Sequence, residues 1–285
     1  MPQAATIFDN PETPLKPTRD VTRSALRYFG GKWALAPWII AHMPPHRVYV
    51  EPFGGAASVL LRKPRSRVEV YNELDDEIVG IFRILQDGTQ CRELIRRLIR
   101  TPYSRREFER AFEKATDPID RARRAIVRCY MSFHHTALFN PKKSTFADAR
   151  HNRVGSSKSS EWASYPRTLV SVCRRLRGVI IEHSDAVRVI RVQDSPGTLF
   201  FVDPPYVAST RDKGARYRHE MTDDQHAALL TQLRDIQGRA IIAGYASDLY
   251  DGFLHDWQRF ERPHFSGGNV PQARTEVMWI SPEKI

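Results

Sequence analysis

Short apolar runs, each closed by a polar residue and followed by a stretch of helical spacing, constrain this chain more than any other feature. Val48-Tyr49-Val50-Glu51 leads through the glycine-bearing turn Pro52-Phe53-Gly54-Gly55-Ala56-Ala57-Ser58 into Val59-Leu60-Leu61. Arg67-Val68-Glu69-Val70-Tyr71 repeats the strand signal, and Asn72-Glu73-Leu74-Asp75 then opens a helix with apolar Ile78, Ile81, Phe82 and Leu85. Strands that alternate with amphipathic helices cannot pair as hairpins, so the pattern predicts an α/β protein with a mostly parallel sheet. Later segments continue it: strands at Val179-Ile180-Ile181 and Thr198-Leu199-Phe200-Phe201-Val202, a helix over 186–192, and last strands at 239–245 and 275–280. Thr222-Asp223-Asp224-Gln225 has the form of a capping box before one more helix.

The middle of the chain breaks the alternation. Leu94, Ile95, Leu98 and Ile99, then Phe108 and Phe112, then Ala125, Ile126 and Cys129 recur at helical spacing with no strand between them, which predicts a helical insertion over 87–166. Within it, residues 139–162 are rich in Lys, Ser, Asn and Gly and predict a loop or hairpin, with helix resuming at about 168–176. The catalytic part is then expected over 23–86 and 167–285, behind a flexible tail at 1–22.

Charge is concentrated in the same place. The net charge is +11, and between Cys91 and Pro166 stand 17 Lys and Arg against 8 Asp and Glu, which favours a polyanionic partner. Cys91, Cys129 and Cys173 are odd in number and far apart, arguing against a disulfide framework or zinc site. His134-His135 lacks accompanying acids or cysteines, so no metal is expected. No apolar run is long enough to span a membrane.

Asp203-Pro204-Pro205-Tyr206 follows a strand directly. Two readings compete: a strand exit stopped by proline, and a stiff site for a flat amino-bearing ring, in which a carboxylate and a proline-aimed carbonyl accept two amine hydrogens while tyrosine stacks. Glu51-Pro52-Phe53-Gly54-Gly55 with Glu73, 19 residues beyond Gly54, is the arrangement by which α/β folds hold a nucleoside, the turn approaching the ligand and the acid taking ribose hydroxyls. Neither a hydride-carrier fingerprint nor a phosphate-binding loop is present. Arg27-Tyr28-Phe29-Gly30-Gly31-Lys32 precedes the first strand and offers an ammonium and a ring to the same region.

Taken in order, the Gly-Gly-Lys segment, glycine turn, acid, basic helical insertion and Asp-Pro-Pro-Tyr resemble the Dam family of DNA adenine-N6 methyltransferases, the alpha-ordered D12 class. The resemblance covers about residues 26–280. It implies a Rossmann-like mixed-sheet methyltransferase fold with an inserted, mainly helical target-recognition domain. It further implies S-adenosyl-L-methionine as cofactor, near Tyr28, Lys32, Glu51, Phe53, Gly54, Gly55, Glu73, Asp185 and Asp203, with Asp203, Pro204, Pro205 and Tyr206 catalytic. The family commonly has an aromatic after the acid corresponding to Asp185; here Ala186 follows, so stacking on the cofactor must come from elsewhere. The expected partner is double-stranded DNA, bound by a monomer in the cytoplasm of a bacterial cell or phage-infected host, within restriction–modification or alone.

Candidate DNA contacts are Arg121, Arg123, Arg124 and Arg128, which fall along one helix, and Lys142, Lys143, Asn152, Arg153 and Lys158 in the following loop. Three alternatives stand beside this reading: an RNA adenine-N6 methyltransferase, a DNA-binding module that has lost catalysis, and a protein-amide methyltransferase. The last usually has Asn where this chain has Asp203.

Overall fold

Strands buried on both faces form the centre, as unbroken apolar runs require. The computed structural model describes residues 20–133, 138, 144–148, 157–211, 218–265 and 273–283. In chain order the elements are α1 (Ala36–Ala41), β1 (Val48–Glu51), α2 (Ser58–Arg62), β2 (Val68–Asn72), α3 (Asp76–Gln86), α4 (Gly88–Ile99), α5 (Arg105–Arg110), α6 (Pro118–Met131), α7 (Lys158–Leu176) and β3 (Val179–Glu182). They continue with α8 (Ala186–Gln193), β4 (Thr198–Val202), α9 (Asp223–Asp235), β5 (Arg239–Gly244), α10 (Asp248–Phe253), β6 (Gln258–Phe265) and β7 (Ala273–Ile280).

The seven strands form one mixed sheet in the order β3-β2-β1-β4-β5-β7-β6. The first five are parallel to their neighbours, while β7 runs antiparallel to both β5 and β6. Chain order therefore reverses between β1 and β4, and in open α/β sheets the crevice at such a switch point, beyond the carboxyl ends of the strands, receives ligands.

Alternate side chains divide between two cores. Tyr49, Leu199, Phe201, Ile241 and Met278 pack under the N-terminal segment and helices α1 to α7, whereas Val50, Phe200, Val202, Ile242 and Trp279 pack under α8, α9 and α10. Thr222 and Gln225 make both bonds of the capping box at α9. The three cysteines are free and buried. Among the described residues no helix is long and apolar enough to cross a membrane.

Three features depart from the expectations. Residues 158–162, expected in a loop, are helical, and α7 runs unbroken from Lys158 to Leu176 with Pro166 inside it. A proline in a helix interior removes one backbone donor, and here the buried packing of Trp162, Tyr165 and Leu169 on either side holds the helix through it. The expected insertion boundary at 166 thus falls within a helix. The helices α4, α5, α6 and α7 also share one apolar cluster with α3 and the sheet. Finally, β6 was not anticipated: its polar Gln-Arg-Phe-Glu-Arg-Pro run carries Pro263, which an edge strand tolerates because one row of its N–H groups needs no partner.

Candidate active site at the carboxyl ends of the strands

A cleft lies where the switch point predicts it, lined by residues from the ends of β1, β2, β3 and β4. Tyr28, Lys32, Glu51, Phe53, Gly54, Gly55, Glu73, Asp185, Asp203 and Pro205 all face it.

Backbone and side-chain bonds build its floor. Gly54 N–H donates to the Asn72 carbonyl at 2.7 Å, and a Cβ added at Gly54 would strike the Tyr71 ring and come within 2.8 Å of that carbonyl. The glycine is therefore required by strand β2, not by approach of a ligand. Gly55 adopts φ +48°, which favours glycine; its N–H donates to Glu73 Oε2 at 2.8 Å and its carbonyl accepts from the Tyr71 hydroxyl at 2.7 Å. Asn72 then joins three strand ends. Its Nδ2 donates to the carbonyls of Pro52 and Ser184, and its Oδ1 accepts from Ser184 N–H at 3.0 Å.

The acids are held differently. Glu73 Oε1 accepts from Asp75 N–H, and burial raises its pKa. Glu51 is buried, and its Oε1 accepts from the Tyr49 hydroxyl and Leu60 N–H, both at 2.7 Å; burial pushes its carboxyl up to about 7. Asp185 is exposed and caps α8, accepting from Arg188 N–H at 3.0 Å. Leu74, Val187 and Met221 also line the cleft and give it apolar surface.

Asp203 stands at the end of β4, 2.9 Å from the ammonium of buried Lys32. Burial raises its carboxyl to about 6, against the opposing pull of Lys32. The same ammonium lies 3.3 Å from Glu276 Oε1 on β7 and 4.8 Å from the centre of the Tyr206 ring. The Tyr206 hydroxyl donates to Glu276. Tyr206 meets the half-buried Tyr245 edge-on, with ring centres 4.7 Å apart.

Sequence reasoning missed Glu276, Asn72 and Arg218. Arg218 lines the cleft and donates to Asp75 Oδ1 at 2.9 Å and to the Leu138 carbonyl at 2.8 Å. Only Glu276 left a local trace, as an acid at a strand position whose neighbours Val277, Met278 and Trp279 are all buried.

The cleft fits a nucleoside-bearing cofactor. Ser58 Oγ faces it, buried and without a hydrogen-bond partner among the described residues, and carboxylates stand at the ends of β1, β2 and β4, with Asp185 just beyond β3. No group of His, Cys, Asp and Glu among the described residues could hold a metal ion.

The insertion's arginines do not form the expected open row. Arg123 bonds Asp120 at 2.7 Å and Glu107 at 3.1 Å; Arg124 bonds Asp120 at 2.8 Å and two carbonyls of the α5 region. Arg128 is buried, donating to the Ala111 carbonyl at 2.5 Å and to Glu77. Acids one turn away or on neighbouring helices pair with all three, Arg128 buried and Arg123 and Arg124 half-buried, whereas Arg121 is exposed and Lys158 begins α7. Lys142, Lys143, Asn152, Arg153 and His134-His135 lie outside the described residues.

Among known proteins, the one named Modification methylase LlaI, of Lactococcus lactis subsp. lactis, is 25% identical over 231 residues, covering 78% of this chain and 36% of that protein. The DNA adenine methylase of Escherichia coli strain K12 is 30% identical over 115 residues, covering 39% of this chain and 40% of that protein. The matched stretches thus span less than half of each relative. Residues 28–258 match the family described as D12 class N6 adenine-specific DNA methyltransferase, a stretch that takes in the cleft lining from Tyr28 to Ala228; the chain belongs to that family.

Proposed function

We propose that this protein transfers the methyl group of S-adenosyl-L-methionine to the N6 amine of adenine in double-stranded DNA. The observation that carries the reading is the placement of Asp203 at the carboxyl end of β4, 2.9 Å from Lys32 and at one end of a cleft whose other walls are Glu73 and Asp185. Glu73 suits ribose hydroxyls, Asp185 the cofactor's adenine amine, and the turn from Glu51 to Gly55 with Tyr28 its methionine end. Bound S-adenosylmethionine supplies a methyl carbon on a sulfonium sulfur, which keeps the bonding pair when the methyl leaves.

The chain's own groups then act on the target. Asp203 and the Pro204 carbonyl accept the two N6 hydrogens and draw the lone pair out of ring conjugation, while Tyr206 stacks on the base. N6 forms the new bond with that pair and sheds one proton, for which Asp203 is the adjacent acceptor. Alignment and preorganised charge supply most of the rate, since no covalent enzyme intermediate is needed. Flipping the base out of the duplex costs a few kcal/mol, offset by phosphate contacts. Those contacts are assigned to the insertion over 87–166, to Arg121 and Lys158 among the described residues and to Lys142, Lys143, Asn152 and Arg153 beyond them.

Labelled methyl transfer tests the reading. Duplex DNA is expected to take up label at adenine N6, and Asp203→Ala to abolish transfer while the circular dichroism spectrum is retained. Transfer to structured RNA but not DNA would assign the substrate to RNA; cofactor and DNA binding without transfer would assign a silent module.

A further inference from the structure

The cluster around Lys32 contains one carboxylate more than the reading above uses. Lys32 Nζ sits between Asp203 Oδ1 at 2.9 Å and Glu276 Oε1 at 3.3 Å, and Lys32 and Glu276 are both buried. Asp203 alone neutralises the ammonium, and burying a second carboxylate is unfavourable unless strong partners hold it. Its partners are the same ammonium and the Tyr206 hydroxyl, which donates to it. Glu276 therefore touches Lys32, the partner of Asp203, and Tyr206, the stacking ring, from a strand that lies beyond the stretch matching the family.

We propose that Glu276 is the positioning residue of the amine clamp: it holds Tyr206 by its hydroxyl and shares Lys32 with Asp203, so that Asp203 keeps uncompensated negative charge facing the amine. The inference rests on the proposed adenine methylation. As N6 bonds the methyl carbon and the S–C pair stays with sulfur, positive charge moves onto nitrogen until one proton leaves. A carboxylate whose ammonium is shared stabilises that charge better than one fully paired.

Other charged and titratable groups face the cluster from each element around it. Glu51 at the end of β1 and Tyr250 of α10 bear on Asp203, Arg262 pairs opposite Glu276 across β6 and β7, and Arg274 lies over the Tyr245 ring. None of them comes between Lys32 and its two carboxylates in the contacts described.

Glu276→Gln keeps the shape and removes the charge. It is expected to lower kcat for labelled methyl transfer by roughly tenfold to a hundredfold, with the KM for cofactor and the affinity for duplex DNA changed less than about threefold. The acid limb of the pH–rate profile moves to lower pH, because Asp203 loses a neighbouring negative charge and gains the whole of Lys32. Carbon-13 spectra of protein labelled at aspartate carboxyls, recorded without cofactor, are expected to show Asp203 titrating at lower pH in the variant. Tyr206→Phe separates the two halves of the role: the hydroxyl it removes also lowers the Asp203 carboxyl, so kcat falls while the acid limb moves to higher pH, opposite to Glu276→Gln, and Glu276→Asp recovers part of the lost rate. Unchanged kcat with unchanged Asp203 titration in Glu276→Gln overturns the proposal. Absence of methyl transfer by the unaltered protein overturns the methylation reading instead, and the carboxyl titration still decides whether Glu276 governs Asp203.

Discussion

Glu51 shows how much of the site is set by where a strand ends. Its carboxyl is buried at the last position of β1 with two donors on one oxygen, and burial lifts its pKa from 4.5 to about 7. An acid raised in the folded state binds its proton more tightly there, so its stabilising contribution is complete below about 4.5 and is lost as pH rises through about 7. A shift of that size corresponds to about 3 kcal/mol. Urea melts of the cofactor-free protein at pH 5 and pH 8 are expected to show stability falling across that window, with Glu51→Gln flattening the slope. An identical slope in the variant would place the loss at another group. Local readings of this kind were open to the sequence: Glu51 and Asp203 follow an apolar run directly, and Glu73 and Asp185 come two and four residues after one. Glu276, Tyr245 and Arg218 were not, because their roles depend on which distant groups they meet.

At the scale of elements, α6 corrects the expectation most. Its arginines follow helical spacing, but so do the acids that hold them: Asp120 stands three and four residues before Arg123 and Arg124, and Glu107 of α5 faces Arg123. Charge counted along the chain could not separate paired arginines from open ones. Arg128→Ala is expected to destabilise the protein by roughly 1–3 kcal/mol by leaving the Ala111 carbonyl without its donor and Glu77 with Arg218 alone of its two arginine partners, while leaving the salt dependence of DNA binding unchanged. Thermal melts and binding titrations across salt concentrations check both halves; a flattened salt slope would return Arg128 to the DNA surface. Helix α7 was misread for a similar reason, since Pro166 is a stop signal only where packing does not override it.

For the whole molecule, the alternating pattern of strand and helix was enough to predict a mostly parallel sheet with its ligand cleft at the strand ends, because buried parallel strands leave few other arrangements. It did not reveal that the inserted helices share the core of the sheet. Calorimetry of the full chain is therefore expected to show one cooperative transition, and residues 87–166 produced alone are expected to lack cooperative unfolding. Two separated transitions would mark an independent insertion.

The passage of α7 from Lys158 to β3 sets a rule for any graft of the segment to which DNA recognition is proposed here. A graft cut at residue 166 would sever a helix whose near half packs on Thr101 through Trp162 and whose far half pairs Arg175 with Glu69 beneath the sheet. Junctions at the end of α6 and just before Lys158 instead leave both halves of α7 with the recipient.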